Sequence, residues 1–91
     1  MRSVEVMQIR AMLKEILVTT GANTEDVSAV MTIGTPAMGL QHLNGPEEIG
    51  SILSAVEKAS PADAGIISLD DTAWRQLESA YSRRVVQPLF A

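Results

Sequence analysis

The chain has no cysteine, so disulfides, thiolate chemistry and cysteine-based zinc sites are excluded. Aromatic residues make up only 3% of it: Trp74, Tyr81 and Phe90 stand alone. The core must therefore be assembled from Leu, Ile, Val, Met and Ala, with few large anchors. There is one histidine, His42, and a basic excess is missing; the formal net charge is −4. That balance argues against a nucleic-acid binder held by phosphate neutralisation. No apolar run approaches the ~20 residues that span a bilayer. The N-terminal MRSVEVMQIR carries charges where a signal peptide needs a continuous apolar stretch. The expectation is a soluble cytoplasmic protein with neither membrane nor nucleic acid as partner.

What is present points to one small domain spanning 1–91. Apolar residues make up 46% of the chain, enough for a folded protein. A chain this short buries a small core and is marginally stable alone. With a slightly positive mean hydropathy, that raises the expectation that some apolar surface is covered by another chain. The charges are uneven. Glu25, Asp26, Glu47, Glu48, Glu57, Asp63, Asp70 and Asp71 face Lys58 alone between Thr24 and Asp71, whereas Arg75, Arg83 and Arg84 follow against Glu78. A solvated acidic surface with carboxylates at helix starts explains this distribution most simply.

The clearest stretch is Gly65–Arg84. A short apolar run, Gly65-Ile66-Ile67, meets a helix-start signal at Ser68-Leu69-Asp70-Asp71, with Ser68 as the expected cap and Asp71 three residues on. Leu69, Ala73, Leu77 and Ala80 then form one apolar stripe, and Trp74, Leu77, Tyr81 and Val85 a neighbouring one. Pro88 is expected to end regular helix before Leu89. Earlier in the chain, Ile9, Met12, Leu13, Ile16 and Leu17 predict a helix over 5–18, closed by Gly21. Ser3-Val4-Glu5-Val6 alternates, however, and Leu17-Val18-Thr19-Thr20 favours extended backbone, so the alternative of an extended segment stays open. Val27–Ile33 is short and β-branched. It is read as a strand, the other reading being a helix capped by Asn23 or Thr24. Thr35-Pro36 predicts a short helix over Ala37–Leu43, and Pro46-Glu47-Glu48 predicts another, with Ile49, Ile52, Leu53 and Val56 inward and Ser60-Pro61 as its stop. The expected fold is a mostly helical α+β domain with three to four helices and one or two short strands, at Val27–Ile33 and Gly65–Ser68.

Candidate chemistry is sparse. His42 has no recognisable nucleophile context, and a surface or helix-end imidazole explains it better than catalysis. A small-ligand or minor enzymatic role would require a deep pocket holding it. Glu47-Glu48 and Asp70-Asp71 are adjacent pairs, whose side chains point ~100° apart on a helix, so neither makes a shared-proton dyad or a metal site. Gly34, Gly39 and Gly45 do not make a phosphate loop. No catalytic residue, metal ligand or cofactor is expected. The candidate partner interface is Trp74, Tyr81, Arg83, Arg84, Val85, Leu89 and Phe90, because Trp, Tyr and Arg are favoured interface anchors and the segment is apolar. The simpler roles are core for Trp74 and helix-end placement for the two arginines, and the apolar segment Val85–Phe90 either folds back on the core or docks on a neighbour.

From Met31 onward, the succession MTIGTPAMGL, GPEEIGSILSAVEKA, GIISLDDTAWRQLESAY and RRVVQPLF resembles small hypothetical proteins encoded in tailed-phage and prophage genomes. The likeness covers about residues 31–90 and rests on structural signals: a Gly-containing lead into a short helix, a helix with early acidic residues, an apolar-plus-acidic lead into a last helix, and an apolar tail. The N-terminal third departs from the pattern by offering a helix where those proteins begin with an extended segment and turn. The resemblance implies a phage-encoded, non-enzymatic protein of the host cytoplasm or the virion. Its expected role is in virion assembly or as a structural accessory, docking on a protein partner or on itself. The alternative is an acidic inhibitor of a host nucleic-acid-handling protein, with the Thr24–Asp71 carboxylates mimicking phosphate.

Overall fold

Alternation at the N-terminus is realised as a strand. A computed structural model describes residues 1–35, 47–59 and 65–90; in it, β1 (Arg2–Glu5) pairs antiparallel with β2 (Ile66–Leu69), in the register Arg2 to Leu69 through Glu5 to Ile66. The β1 strand was absent from the sequence expectation, which began a helix at residue 5. Only one face of the ladder is buried, through Val4, Ile67 and Leu69. Two short strands are marginal by themselves, so this face needs helices against it.

Helix α1 (Val6–Thr19) follows β1 directly and buries Val6, Ile9, Leu13, Ile16 and Leu17, the stripe its spacing predicts. The β-branched end of this helix does not become extended. Thr19 and Thr20 donate their hydroxyls to the Ile16 and Leu17 carbonyls, at 2.8 and 3.0 Å. Ala22 N–H reaches Leu17 and Gly21 N–H reaches Val18, with Gly21 at φ +78°. This is a Schellman stop, and it satisfies carbonyls that would otherwise face water alone.

Residues Val27–Ile33 do not form the expected strand. Helix α2 (Thr24–Val30) occupies the region instead. Asn23 caps it, its side chain accepting the Asp26 N–H at 2.8 Å, and Glu25 and Asp26 lie in the first turn where the dipole favours them. Burial at Asp26, Val30 and Ile33 has a helical period, and α2 packs on α1. A local cap and a helical burial pattern outweigh the weak β preference of Val27, Val30, Thr32 and Ile33. After α2 the backbone tightens, with N–H groups of Met31, Thr32 and Ile33 reaching three residues back. Arg10 on α1 closes this turn by donating from Nε (2.8 Å) and Nη2 to the Ile33 carbonyl.

Helix α3 (Glu47–Ala59) buries Ile49, Ile52, Leu53 and Val56, as its spacing predicts. The helix expected over Ala37–Leu43, His42 and the Ser60-Pro61 stop lie outside the described residues. Helix α4 (Asp71–Tyr81) buries Ala73, Trp74, Leu77 and Ala80 and packs against both α1 and α3. Its cap is Asp70, not Ser68: Asp70 Oδ1 accepts the Thr72 N–H at 2.9 Å. Ser68 stays in β2 because Leu69, fully buried opposite Arg2, holds the chain extended for one more residue. Beyond Tyr81 the helix widens into a π-type turn (Ser82–Val86) and ends in a 3₁₀ turn (Gln87–Phe90), so Pro88 sits inside the last turn rather than before it. The result is a small α+β domain, with four α-helices and a two-stranded antiparallel sheet among the described residues.

Gly34 adopts φ +86°, and a Cβ there would lie 2.8 Å from Val6 Cγ1. Gly21 has a similar φ but open space around it. Alanine at Gly21 is therefore expected to cost about 1 kcal/mol of backbone strain, and at Gly34 about 2–3 kcal/mol because a buried neighbour must also shift. Urea denaturation of the two variants checks the order.

Candidate functional site

The seven candidate interface residues divide sharply. Trp74 belongs to the core, at 7% exposure, with the Arg2 guanidinium 5.5 Å from its ring centroid. That cation–π contact seals β1 onto α4. Trp74 is thus committed to the fold rather than presented to a partner, because position 74 falls on the same face as Leu77 and Ala73.

Tyr81 is half-buried against the core and donates its hydroxyl to Glu15 Oε2 at 2.5 Å. The bond joins the ends of α1 and α4. Accepting that hydrogen bond, Glu15 favours the neutral phenol and raises the Tyr81 pKa above its ordinary value; partial desolvation and the Glu15 charge act in the same direction. Sequence periodicity placed Tyr81 on the inward stripe but could not supply Glu15, which lies 66 positions earlier.

Val85 is half-buried and packs on the core cluster. Arg83 and Arg84 lie in the final turns, where the unpaired carbonyl end of a helix favours cations. Arg83 is exposed and Arg84 half-buried. Leu89 and Phe90 are the outlying pair, at 77% and 83% exposure. Val86 joins them, exposed and one turn before Leu89. It belongs to the apolar segment Val85–Phe90 read from the sequence, though not to the seven candidate residues. The structure therefore leaves Val86, Leu89 and Phe90 exposed in the closing turns, an apolar tip, and sets Trp74 in the core; Arg83 lines a shallow groove with Thr72, Arg75, Gln76 and Ser79. Helix α1 ends at Thr19, and no described element covers the tip.

Elsewhere, Met7 and Met31 are exposed and line a shallow groove with Arg10, Ala11 and Lys14. A second groove of about 320 Å³ is lined by Ser51, Ser54, Ala55, Lys58 and Ala59 from α3, by Ser68 and Asp70 at β2, and by Met1. Among the described residues no group of three or more His, Cys, Asp or Glu side chains is placed to hold a metal ion. No described helix is long and apolar enough to cross a membrane. No protein-family model, curated protein or solved structure matches the chain.

The Tyr81–Glu15 bond makes a pH prediction. The folded state favours the neutral phenol, so its contribution to stability is complete below the ordinary tyrosine value of about 10 and is lost as pH rises through the higher folded-state value. Tyr81 is the single tyrosine, so tyrosinate absorbance reads it directly. The midpoint is expected above the ordinary value in the parent chain and close to it in Glu15→Ala.

Proposed function

We propose that this chain is a non-enzymatic interaction protein that docks on a protein partner, or on a second copy, through the apolar tip Val86, Leu89 and Phe90. The observation carrying this reading is the exposure of Leu89 and Phe90, at 77% and 83%, on a structured turn. Burying a side chain of that size is worth about 1.5–3 kcal/mol, and a helical turn presents the pair with little further ordering cost. The setting we propose is a tailed phage, in which the protein acts as a virion-assembly or structural accessory in the host cytoplasm or the virion; this rests on the resemblance of residues 31–90.

The acidic-inhibitor alternative has weaker support. Asp26 is buried, Asp70 caps α4, and Glu25 and Asp71 occupy first turns, where local electrostatics already account for them. Asp63 lies outside the described residues.

The test is a pull-down with products of the flanking genes, quantified by calorimetry. Leu89→Glu combined with Phe90→Glu is expected to abolish binding while unfolding stability changes by no more than about 0.5 kcal/mol, the usual range for exposed positions. Equal binding by the parent and the double variant would overturn the assignment of the tip. Binding by capsid, portal or tail components would support the assembly role, and binding only by a host nucleic-acid enzyme would favour inhibition.

A further inference from the structure

Helix α4 changes character at Tyr81. Up to that residue it buries a side chain in every turn, the last being Ala80. After it, no residue of the π-type turn or the 3₁₀ turn is fully buried. Val85 rests half-buried on the core cluster, and every residue from Val86 to Phe90 is exposed. A 3₁₀ turn has poorer hydrogen-bond geometry than an α-helix, and a π turn is rarer still. A segment with little packing of its own frays unless something ties it down. The apolar tip therefore depends on an anchor at its root.

The Tyr81–Glu15 hydrogen bond lies at that root. It crosses from the last residue of α4 to α1, and the turn that follows, Ser82–Val86, also packs on α1. Among the described residues Glu15 makes no ion pair, so its carboxylate is left to the phenol. The bond is exposed, where water competes for both partners, and it adds little to the stability of the whole domain. Its effect is local. It fixes where α4 ends against α1, and so the direction in which the closing turns leave the core.

We propose that Tyr81 and Glu15 are positioning residues for the docking tip: their bond holds the closing turns in one orientation on α1, so that Val86, Leu89 and Phe90 meet a partner already ordered. This rests on the docking role given to the tip above. Side chains and turns that must be ordered on binding weaken a complex, and a preorganised turn avoids that cost. The device needs the phenol proton. A tyrosinate cannot donate, and it would face the Glu15 carboxylate as a like charge. Loss of the proton therefore releases the tip. The charge acting on the phenol is that of Glu15; Lys14 of α1, Glu47 of α3, and Glu78, Arg83 and Arg84 of its own segment do not enter its shift.

The test is nitrogen-15 relaxation at neutral pH, which reads backbone order residue by residue and needs no partner. In the parent chain the Val86, Gln87 and Leu89 amides are expected near the rigid value of about 0.85. Tyr81→Phe keeps the ring and removes the donor. It is expected to bring those amides below about 0.6, while Trp74 and Leu77 stay rigid and the urea midpoint is unchanged. Glu15→Ala is expected to behave as Tyr81→Phe does, and Glu15→Gln, which keeps an acceptor oxygen, as the parent does. A pH series separates positioning from packing. Relaxation of the Leu89 methyl groups, which involves no exchangeable proton, is expected to loosen in step with tyrosinate absorbance in the parent and to be loose at every pH in Tyr81→Phe. Tail order unchanged in Tyr81→Phe and Glu15→Ala, equal loosening at Trp74 and Leu77, or a tail that does not follow the tyrosinate would each overturn the proposal. Calorimetry with a flanking-gene product that binds the parent tells the two readings apart. Tyr81→Phe is expected to weaken that binding by about tenfold. Binding lost in Leu89→Glu with Phe90→Glu but unchanged in Tyr81→Phe would overturn the positioning role alone. Binding unchanged in the double variant would overturn the docking role on which it rests.

Discussion

The pairing of β1 with β2 is the constraint on which the rest of this structure depends. It joins residues 2–5 to residues 66–69, across most of the length of the chain. Both α1 and α4 start within two residues of a paired strand, so the ladder decides where each helix begins. Once launched, the two helices meet again at Glu15 and Tyr81. Between these fixed points their apolar stripes bury each other, together with the inner face of the sheet and the stripe of α3. The ladder is too short to stand without that cover, and the helices are too short to hold firmly without tertiary packing. Each makes the other possible.

This arrangement also explains where the surface is left incomplete. The core is aliphatic apart from Trp74, whose ring is taken up between α4 and Arg2. Tyr81 closes the far end of α4 against α1 through Glu15, and Phe90, the one aromatic beyond it, is exposed. The chain past Val86 therefore carries Leu89 and Phe90 outward rather than inward. Among the described residues the sheet has two strands, with a groove near β2 lined in part by Ser51, Ser54 and Ala55 of α3. The exposed apolar pair sits on a domain whose small core leaves it little surplus stability.

Where sequence reading succeeded, the signal was periodic or local. The stripes of α1, α3 and α4 were legible because burial repeats with the helical turn, and Gly21 was legible as a stop because its left-handed backbone is costly for other residues. Where it failed, two rules of similar weight competed. Val27–Ile33 is branched enough to suggest a strand, yet Asn23 supplies a cap and the segment follows α1 closely enough to pack as a helix. Ser68 is as good a cap as Asp70, and only the burial of Leu69 decides between them. Of the candidate interface, Leu89 and Phe90 were legible as an apolar pair and core as the simpler role of Trp74, while its contact with Arg2 was not.

The sequence by itself determined the composition of the core, the helical stripes and the absence of sulfur chemistry, because these follow from residue type and spacing along one chain. Only the tertiary structure decided that Arg2–Glu5 is a strand, that Tyr81 is held by Glu15 and that Arg2 covers the Trp74 ring. Each of those depends on a partner at least 60 positions away. Local periodicity carries no information about which distant residue arrives, because that is set by how the whole set of apolar faces closes around one another.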